Sequence, residues 1–315
     1  MTGKPIKGQA KPAKGWKLSD KLATDQDSLY AVTLRPLYDN PSKYTSVLYN
    51  DDPPGHGAGN GYRAHAKGVL AMDGETGIWL IHSVPGFVAE FDGQDGYKYP
   101  ESGRLNGQTL MCISFKTKDE GNDIAEQLSY MVPNIYAIQI TDEVEALADK
   151  VRVLETKKWP KDSPQHMNEI NSIKGEQFMS FARSNKAGGD LYSQYVAPEL
   201  GSDLMVETWR RGAGNPLESN CTAAQSVMNI QNVNLKLVDS AATETTPWSY
   251  ISDHAKWAVT TDDSKPFACI GDINRMASQY KRGGGTVCFK HPDVHKVVKE
   301  SVSSLETCER KQKSG

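Results

Sequence analysis

His65-Ala66-Lys67-Gly68-Val69-Leu70-Ala71 and His254-Ala255-Lys256-Trp257-Ala258-Val259-Thr260 are two copies of one pattern, one in each half of the chain. The match extends past the His-x-Lys tripeptide without a gap. At the offset that carries His65 onto His254, Asp73 meets Asp262, Ile78-Trp79-Leu80-Ile81 meets Phe267-Ala268-Cys269-Ile270, and His82-Ser83-Val84-Pro85 meets Gly271-Asp272-Ile273-Asn274. Such long-period self-similarity marks a duplicated structural unit. Each copy reads as a β-hairpin: a first strand (His65 to Ala71; His254 to Thr260), a polar turn around Asp73 or Asp262, and an apolar return strand. In a strand the His and Lys, two residues apart, leave one face of the sheet.

Working outward, further strands are expected at Ser28 to Leu34, Ser46 to Tyr49, Thr109 to Phe115, Tyr136 to Ile140 and Leu204 to Trp209. Asp119 to Tyr130 and Val294 to Leu305 read as helices. Met1 to Trp16, with Lys4, Lys7, Lys11 and Lys14 among small residues and prolines, reads as a basic disordered tail, extended to residue 20 in the expected organisation. An N-terminal lobe then covers 21–160 and a C-terminal lobe 161–315. They join somewhere between about Val151 and Lys174, a stretch that Lys157 to Ser163 and Pro164 make charged and turn-prone.

Composition sets limits. A chain of 315 residues with 38% hydrophobic content can bury a sizeable core. No apolar run approaches the roughly 18 residues of a membrane span, so no membrane is expected. The formal charge of −3 does not announce a polyanion binder. Protonating the seven histidines near pH 5 moves it to roughly +4, a favourable field for a polyanion in acid. The five cysteines lack CxxC spacing: they are disulfides in an oxidising compartment, or small core thiols in a reducing one. No export signal is evident, which leaves the compartment open.

Two His-x-Lys pairs suit chemistry at phosphorus. Hydrolysis of a phosphodiester needs neutralised equatorial oxygens, a nucleophile, and a proton for the leaving alkoxide. One neutral imidazole, of His65 or His254, attacks phosphorus; the opposite imidazolium protonates the leaving oxygen and then activates water. His65 is the working choice of nucleophile. Lys67 and Lys256 hold the non-bridging oxygens, Asn274 donates a further hydrogen bond, and Asp272 orients a histidine or lysine. His82 is a candidate third active-site histidine, while His56, His166, His291 and His295 are expected on the surface. Trp79 and Trp257 read as core. No metal or other cofactor is required, and no carboxylate cluster for magnesium or calcium is evident.

These motifs resemble the phospholipase D superfamily, whose His-x-Lys strand is followed by a Gly-Ser-x-Asn strand end; Gly271-Asp272-Ile273-Asn274 fits with Asp in the Ser position. The narrower resemblance is to the deoxyribonuclease II family. It rests on Leu48-Tyr49-Asn50-Asp51-Asp52-Pro53-Pro54, the two His-Ala-Lys blocks, Trp79 to Phe87, Gly107 to Phe115, Gly189 to Ser193, Gly271 to Arg275, and Arg282 to Cys288.

The resemblance implies an α+β fold of two pseudo-symmetric phospholipase D-like lobes, each a mixed β-sheet flanked by helices. It implies a metal-independent endonuclease that cuts double-stranded DNA in acid to 3′-phosphate ends, in a secreted, periplasmic or lysosome-like compartment. It implies the disulfides Cys269–Cys288 and Cys221–Cys308, leaving Cys112 unpaired. Arg210, Arg211, Arg275 and Arg282 are candidate DNA contacts, and a homodimer could clasp a duplex. The competing readings are a phospholipase or other phosphodiesterase of the superfamily, and a catalytically silent DNA-binding protein.

Overall fold

A computed structural model describes residues 14–55, 61–92, 96–238 and 245–308. The first half carries β1 (Thr45–Asn50), β2 (Lys67–Met72), β3 (Thr76–His82), β4 (Leu110–Lys116) and β5 (Ile135–Gln139). The second carries β6 (Gln165–Asn171), β7 (Gln177–Arg183), β8 (Leu204–Glu207), β9 (Val227–Val233), β10 (Trp248–Ser249), β11 (Trp257–Thr260), β12 (Phe267–Gly271), β13 (Gly284–Lys290) and β14 (Val302–Leu305). The architecture is α+β, with two sheets and few helices. One sheet runs β4-β3-β2-β1-β5; the other runs β10-β9-β8-β11-β12-β13-β7-β6, with β14 paired to β9.

The repeat in the sequence is a repeat in register. Gly68, Val69 and Leu70 face Ile81, Leu80 and Trp79 across the first hairpin. Their repeat counterparts Trp257, Ala258 and Val259 face Ile270, Cys269 and Ala268, the counterparts of those same three partners. The turns match as well. Asp73 accepts hydrogen bonds from the amides of Glu75 (3.0 Å) and Thr76 (2.9 Å), and Asp262 accepts one from Ser264 (2.8 Å). Neighbouring strands continue the correspondence, since β1 pairs β2 as β8 pairs β11, and β4 pairs β3 as β13 pairs β12.

The sheets do not stand apart. The 15-residue helix Thr117–Met131 buries Ile124, Ala125 and Leu128 in a core that also holds Leu70, Trp79 and Phe115 of the first sheet and Ile170, Ala182 and Val287 of the second. Its apolar residues at i, i+1 and i+4 form the stripe that a surface helix buries. Trp79 is in the core as expected (1% exposed), and Trp257 is buried too.

Several expectations need correction. Ser28 to Leu34 is the start of a helix, Leu29–Asp39, with Ser28 as its N-cap accepting from the Ala31 amide. The expected C-terminal helix stops at Lys299; Val302–Leu305 is a strand on β9. Within the stretch expected to join two lobes, Lys157 to Pro164 has no helix or strand, but the helix Val151–Thr156 and strand β6 flank it directly. The expected tail does not run to residue 20, because Trp16 is docked: its amide donates to the Lys236 carbonyl (2.8 Å) and its indole to Ser301 (2.6 Å). Lys4, Lys7, Lys11 and His56 lie outside the described residues.

His166 is half-buried and stacked on Tyr130. His295, expected on the surface, is 2% exposed, with Nε2 at 2.8 Å from the Thr260 carbonyl. The disulfides Cys221–Cys308 and Cys269–Cys288 are both formed and Cys112 is free. Among the described residues no helix is long and apolar enough to cross a membrane.

Candidate active site

Both histidines precede their strands, rather than sitting within them as expected, so sheet pairing does not position them. Each is held by the other half of the chain. The His65 amide donates to the Gly283 carbonyl (2.9 Å), and the His254 amide donates to the Gly107 carbonyl (2.8 Å). These glycines are themselves equivalent. His82 faces Leu110 and Gly271, its counterpart, faces Thr286; Gly107 and Gly283 each lie three residues upstream. The reciprocal bonds thus obey a local twofold relationship. A Cβ at Gly283 would sit on the Met131 carbonyl, and one at Gly107 against the Asp253 carboxylate, so both approaches require glycine.

Around this junction the two halves share one charged cluster. His65 Nδ1 donates to the Asp272 carbonyl at 2.8 Å, which fixes the tautomer of the neutral ring and leaves Nε2 facing the Asp51 carboxylate at 3.6 Å. That carboxylate also binds the Lys67 ammonium and, at 3.0 Å, the Arg282 guanidinium. Arg282 Nε in turn donates to the Arg63 carbonyl at 3.1 Å. Asp51 comes from the end of β1 and Arg282 from the loop before β13, so their pair also ties the halves together.

Electrostatics reports the same convergence. Burial would raise the Asp51 carboxyl, but Lys67, His65 and Arg282 hold it far below the ordinary carboxylate range. Burial lowers His65, with Lys67, Lys256 and Arg282 adding to the effect and Asp51 opposing it. His254 is lowered to about 4, by burial first and then by Lys256, Lys67 and Arg211. Lys256 is lowered by burial and by the neighbouring Lys67 ammonium. Asp272 is raised by burial, against the pull of Lys67 and Lys256. Groups from opposite halves of the sequence therefore feel one another's charge.

The other expected residues divide. His82 is 1% exposed; its Nδ1 accepts from the Val84 amide at 3.2 Å, its Nε2 is buried without a hydrogen-bond partner, and burial lowers it to about 3. Asn274 is buried, its Oδ1 likewise unpartnered. Arg211 is exposed and acts on His254.

Arg275 and Arg210 are corrections. Arg275 is 1% exposed and is occupied by Asp190 (3.0 Å), Asn229 and the Glu218 carbonyl (3.3 Å). Arg210 is 5% exposed, donates to the Ile230 carbonyl (2.9 Å) and lies over Tyr250 (4.1 Å). Neither guanidinium is placed to meet a polyanion, because each is buried and donates to acceptors of the interior.

No motif singles out Asp51, Trp209 or Glu207 for a role in the site. Trp209 packs its ring at 4.0 Å from the His254 ring. Glu207 is fully buried with both carboxyl oxygens unpartnered; burial, then Asp253, push it up to about 9. Among the described residues no group of three or more His, Cys, Asp and Glu side chains is arranged to hold a metal ion.

The chain is similar over most of its length to several known proteins. A family model described as Deoxyribonuclease II matches residues 8–308. Plancitoxin-1 of Acanthaster planci is 38% identical over 297 residues, covering 93% of this chain and 80% of that protein. Deoxyribonuclease-2 of Caenorhabditis elegans is 36% identical over 300 residues (86% and 76%). Deoxyribonuclease-2-alpha of Sus scrofa is 34% identical over 306 residues (95% and 80%). The chain belongs to the deoxyribonuclease II family.

Proposed function

We propose that this protein is an endonuclease that hydrolyses double-stranded DNA in acid, without a divalent metal, to leave 3′-phosphate ends. One observation carries the reading: two His-x-Lys pairs, each anchored through its histidine amide to the equivalent glycine of the opposite half, share a single charged cluster. The common strand order supports a pair of phospholipase D-like lobes, 21–160 and 161–315, as its framework. Relatives named deoxyribonuclease-2 support DNA as the substrate.

In this mechanism a neutral imidazole attacks the scissile phosphorus. A P–N bond forms and the bond to the 5′ oxygen breaks, while the imidazolium of the opposite pair gives its proton to that oxygen. The same second imidazole then takes a proton from water, whose oxygen displaces the phosphohistidine nitrogen and frees the 3′-phosphate. Lys67, Lys256 and Arg282 balance the charge on the non-bridging oxygens. Asn274 and His82 bring buried polar atoms that have no hydrogen-bond partner among the described residues.

Acid favours this cycle for a physical reason. In the free site burial and mutual repulsion keep the histidines neutral. A phosphate offsets that repulsion and raises their affinity for protons, so binding takes up protons and strengthens as pH falls. The two disulfides fit an oxidising compartment, secreted or lysosome-like.

Incubating supercoiled plasmid with the protein and EDTA from pH 4 to 8 tests the proposal. Nicking and linearisation that persist in chelator and increase towards acid are expected, with 3′-phosphate termini. Intact plasmid alongside lipid hydrolysis would favour a phospholipase, and retention of plasmid without cleavage a silent binder.

A further inference from the structure

We propose that the segment joining the two sheets, with the loop after β7, forms a second anion-binding surface that holds the DNA backbone beside the scissile phosphate. An open recess of about 590 Å³ is lined there by Lys157, Lys158, Lys161, Lys186, Trp159 and Val132. All four lysines are exposed. No ion pair engages any of them among the described residues. The nearby acids are committed elsewhere: Glu155 to Arg152 at 2.7 Å, and Asp162 to the Tyr130 hydroxyl at 2.8 Å. Four uncompensated ammonium groups round one recess make a strong local field on a chain whose formal charge is −3.

The backbone fixes this cluster in place. The helix Val151–Thr156 ends at Lys157, whose φ of 55° turns the chain sharply, and Trp159 then packs against the shared core. The recess borders the reactive site. The Val132 carbonyl accepts from the Ala64 amide at 3.0 Å, next to His65, and the Arg63 guanidinium lies 5.7 Å from the centre of the Trp159 ring. Arg63 also gives its carbonyl to Arg282, which contacts Asp51. Basic groups therefore run from the recess through Arg63 and Arg282 to Lys67.

A polyanion fits such a track. Duplex DNA carries about one charge per 1.7 Å of axis, so a strand with one phosphate at His65 must lay its neighbours over the adjoining surface. The contacts are to backbone phosphates and carry no base preference. The inference rests on the reading of the protein as a nuclease.

The test is the quadruple variant K157Q/K158Q/K161Q/K186Q, assayed on plasmid DNA and on bis(p-nitrophenyl) phosphate over a range of salt, with thermal melting as a check of folding. On plasmid, the fall of log kcat/KM with log salt should flatten by about 0.9 for each phosphate that is no longer neutralised. Turnover of the small diester and the melting temperature should stay at wild-type values, because no flanking phosphate is involved. A wild-type salt slope in the variant would overturn the second surface while leaving the nuclease reading intact. A plasmid defect matched by an equal loss on the small diester would overturn it too, by placing the damage in the reactive site. Failure of the wild-type protein to cut DNA at all would sink both.

Discussion

Asp51 and Trp209 stand at the same register position in the two sheets, each two residues beyond the strand residue (Tyr49 or Glu207) that faces Gly68 or its repeat counterpart Trp257. Each reaches the histidine of its own half: Asp51 Oδ2 lies 3.6 Å from His65 Nε2, and the Trp209 ring packs at 4.0 Å from that of His254. The duplication supplies matched backbones, and these two side chains make the imidazoles chemically different. One faces an anion that favours its protonated form; the other has an indole face that shields it from water.

Asp51→Asn should separate binding from turnover. The carboxylate contacts His65, Lys67 and Arg282, groups proposed to meet the phosphate, so it competes with substrate and product. Its removal should tighten inhibition by inorganic phosphate about tenfold. It also removes a charge that raises His65, so the acid limb of the kcat profile should move to lower pH, with kcat at the optimum down by about one to two orders of magnitude. Wild-type phosphate inhibition and an unmoved profile would place Asp51 away from the reacting group.

His65→Ala and His254→Ala should each lower kcat/KM on plasmid by about two to four orders of magnitude, the usual consequence of losing a nucleophile or proton donor. Because the two rings are proposed to serve one phosphorus, the double variant should lose little more than the worse single one. Single-turnover cleavage by each variant measures this. Multiplicative losses would mean that the histidines act independently.

The repeat made the two hairpins and their turns legible, because register copies sequence offset directly. What escaped was set by long-range neighbours. Asp51 stood inside a quoted block, yet its role follows from lying beside Lys67 across the β1–β2 ladder. Arg210 and Arg275 look like any DNA-contacting arginines until their burial is known. The helix Leu29–Asp39 did carry its own signal: Tyr30, Ala31, Leu34, Leu37 and Tyr38, all buried, follow a helical period behind a serine cap, which outweighs the strand propensity of individual residues.

Glu207 predicts a pH dependence of stability that is separable from catalysis. Raised to about 9 in the fold, it keeps a proton that the unfolded chain releases in the ordinary carboxylate range. Its stabilising contribution is therefore complete in acid and declines as pH climbs from that range through about 9. Glu207→Gln keeps the shape and removes the titration. Melting temperatures should coincide near pH 4.5, and at pH 8 the variant should melt higher, by about 2 °C for each kcal/mol recovered. Parallel curves for the two proteins would show that Glu207 is ionised in the fold.

Gly283→Ala tests whether the opposite half positions the histidine. The added Cβ would press on the Met131 carbonyl and displace the strand start whose carbonyl holds the His65 amide. Since a shift of about 1 Å can lower a rate by about a hundredfold, kcat should fall by one to two orders of magnitude while KM for DNA changes little. Gly107→Ala, with its Cβ against Asp253, should act in the same way on His254. Gly61→Ala, where a Cβ meets nothing within 4 Å, is the control and should keep wild-type kinetics. Wild-type kcat in both Gly283→Ala and Gly107→Ala would mean that each histidine is held by its own strand, and that the contact between the halves serves folding alone.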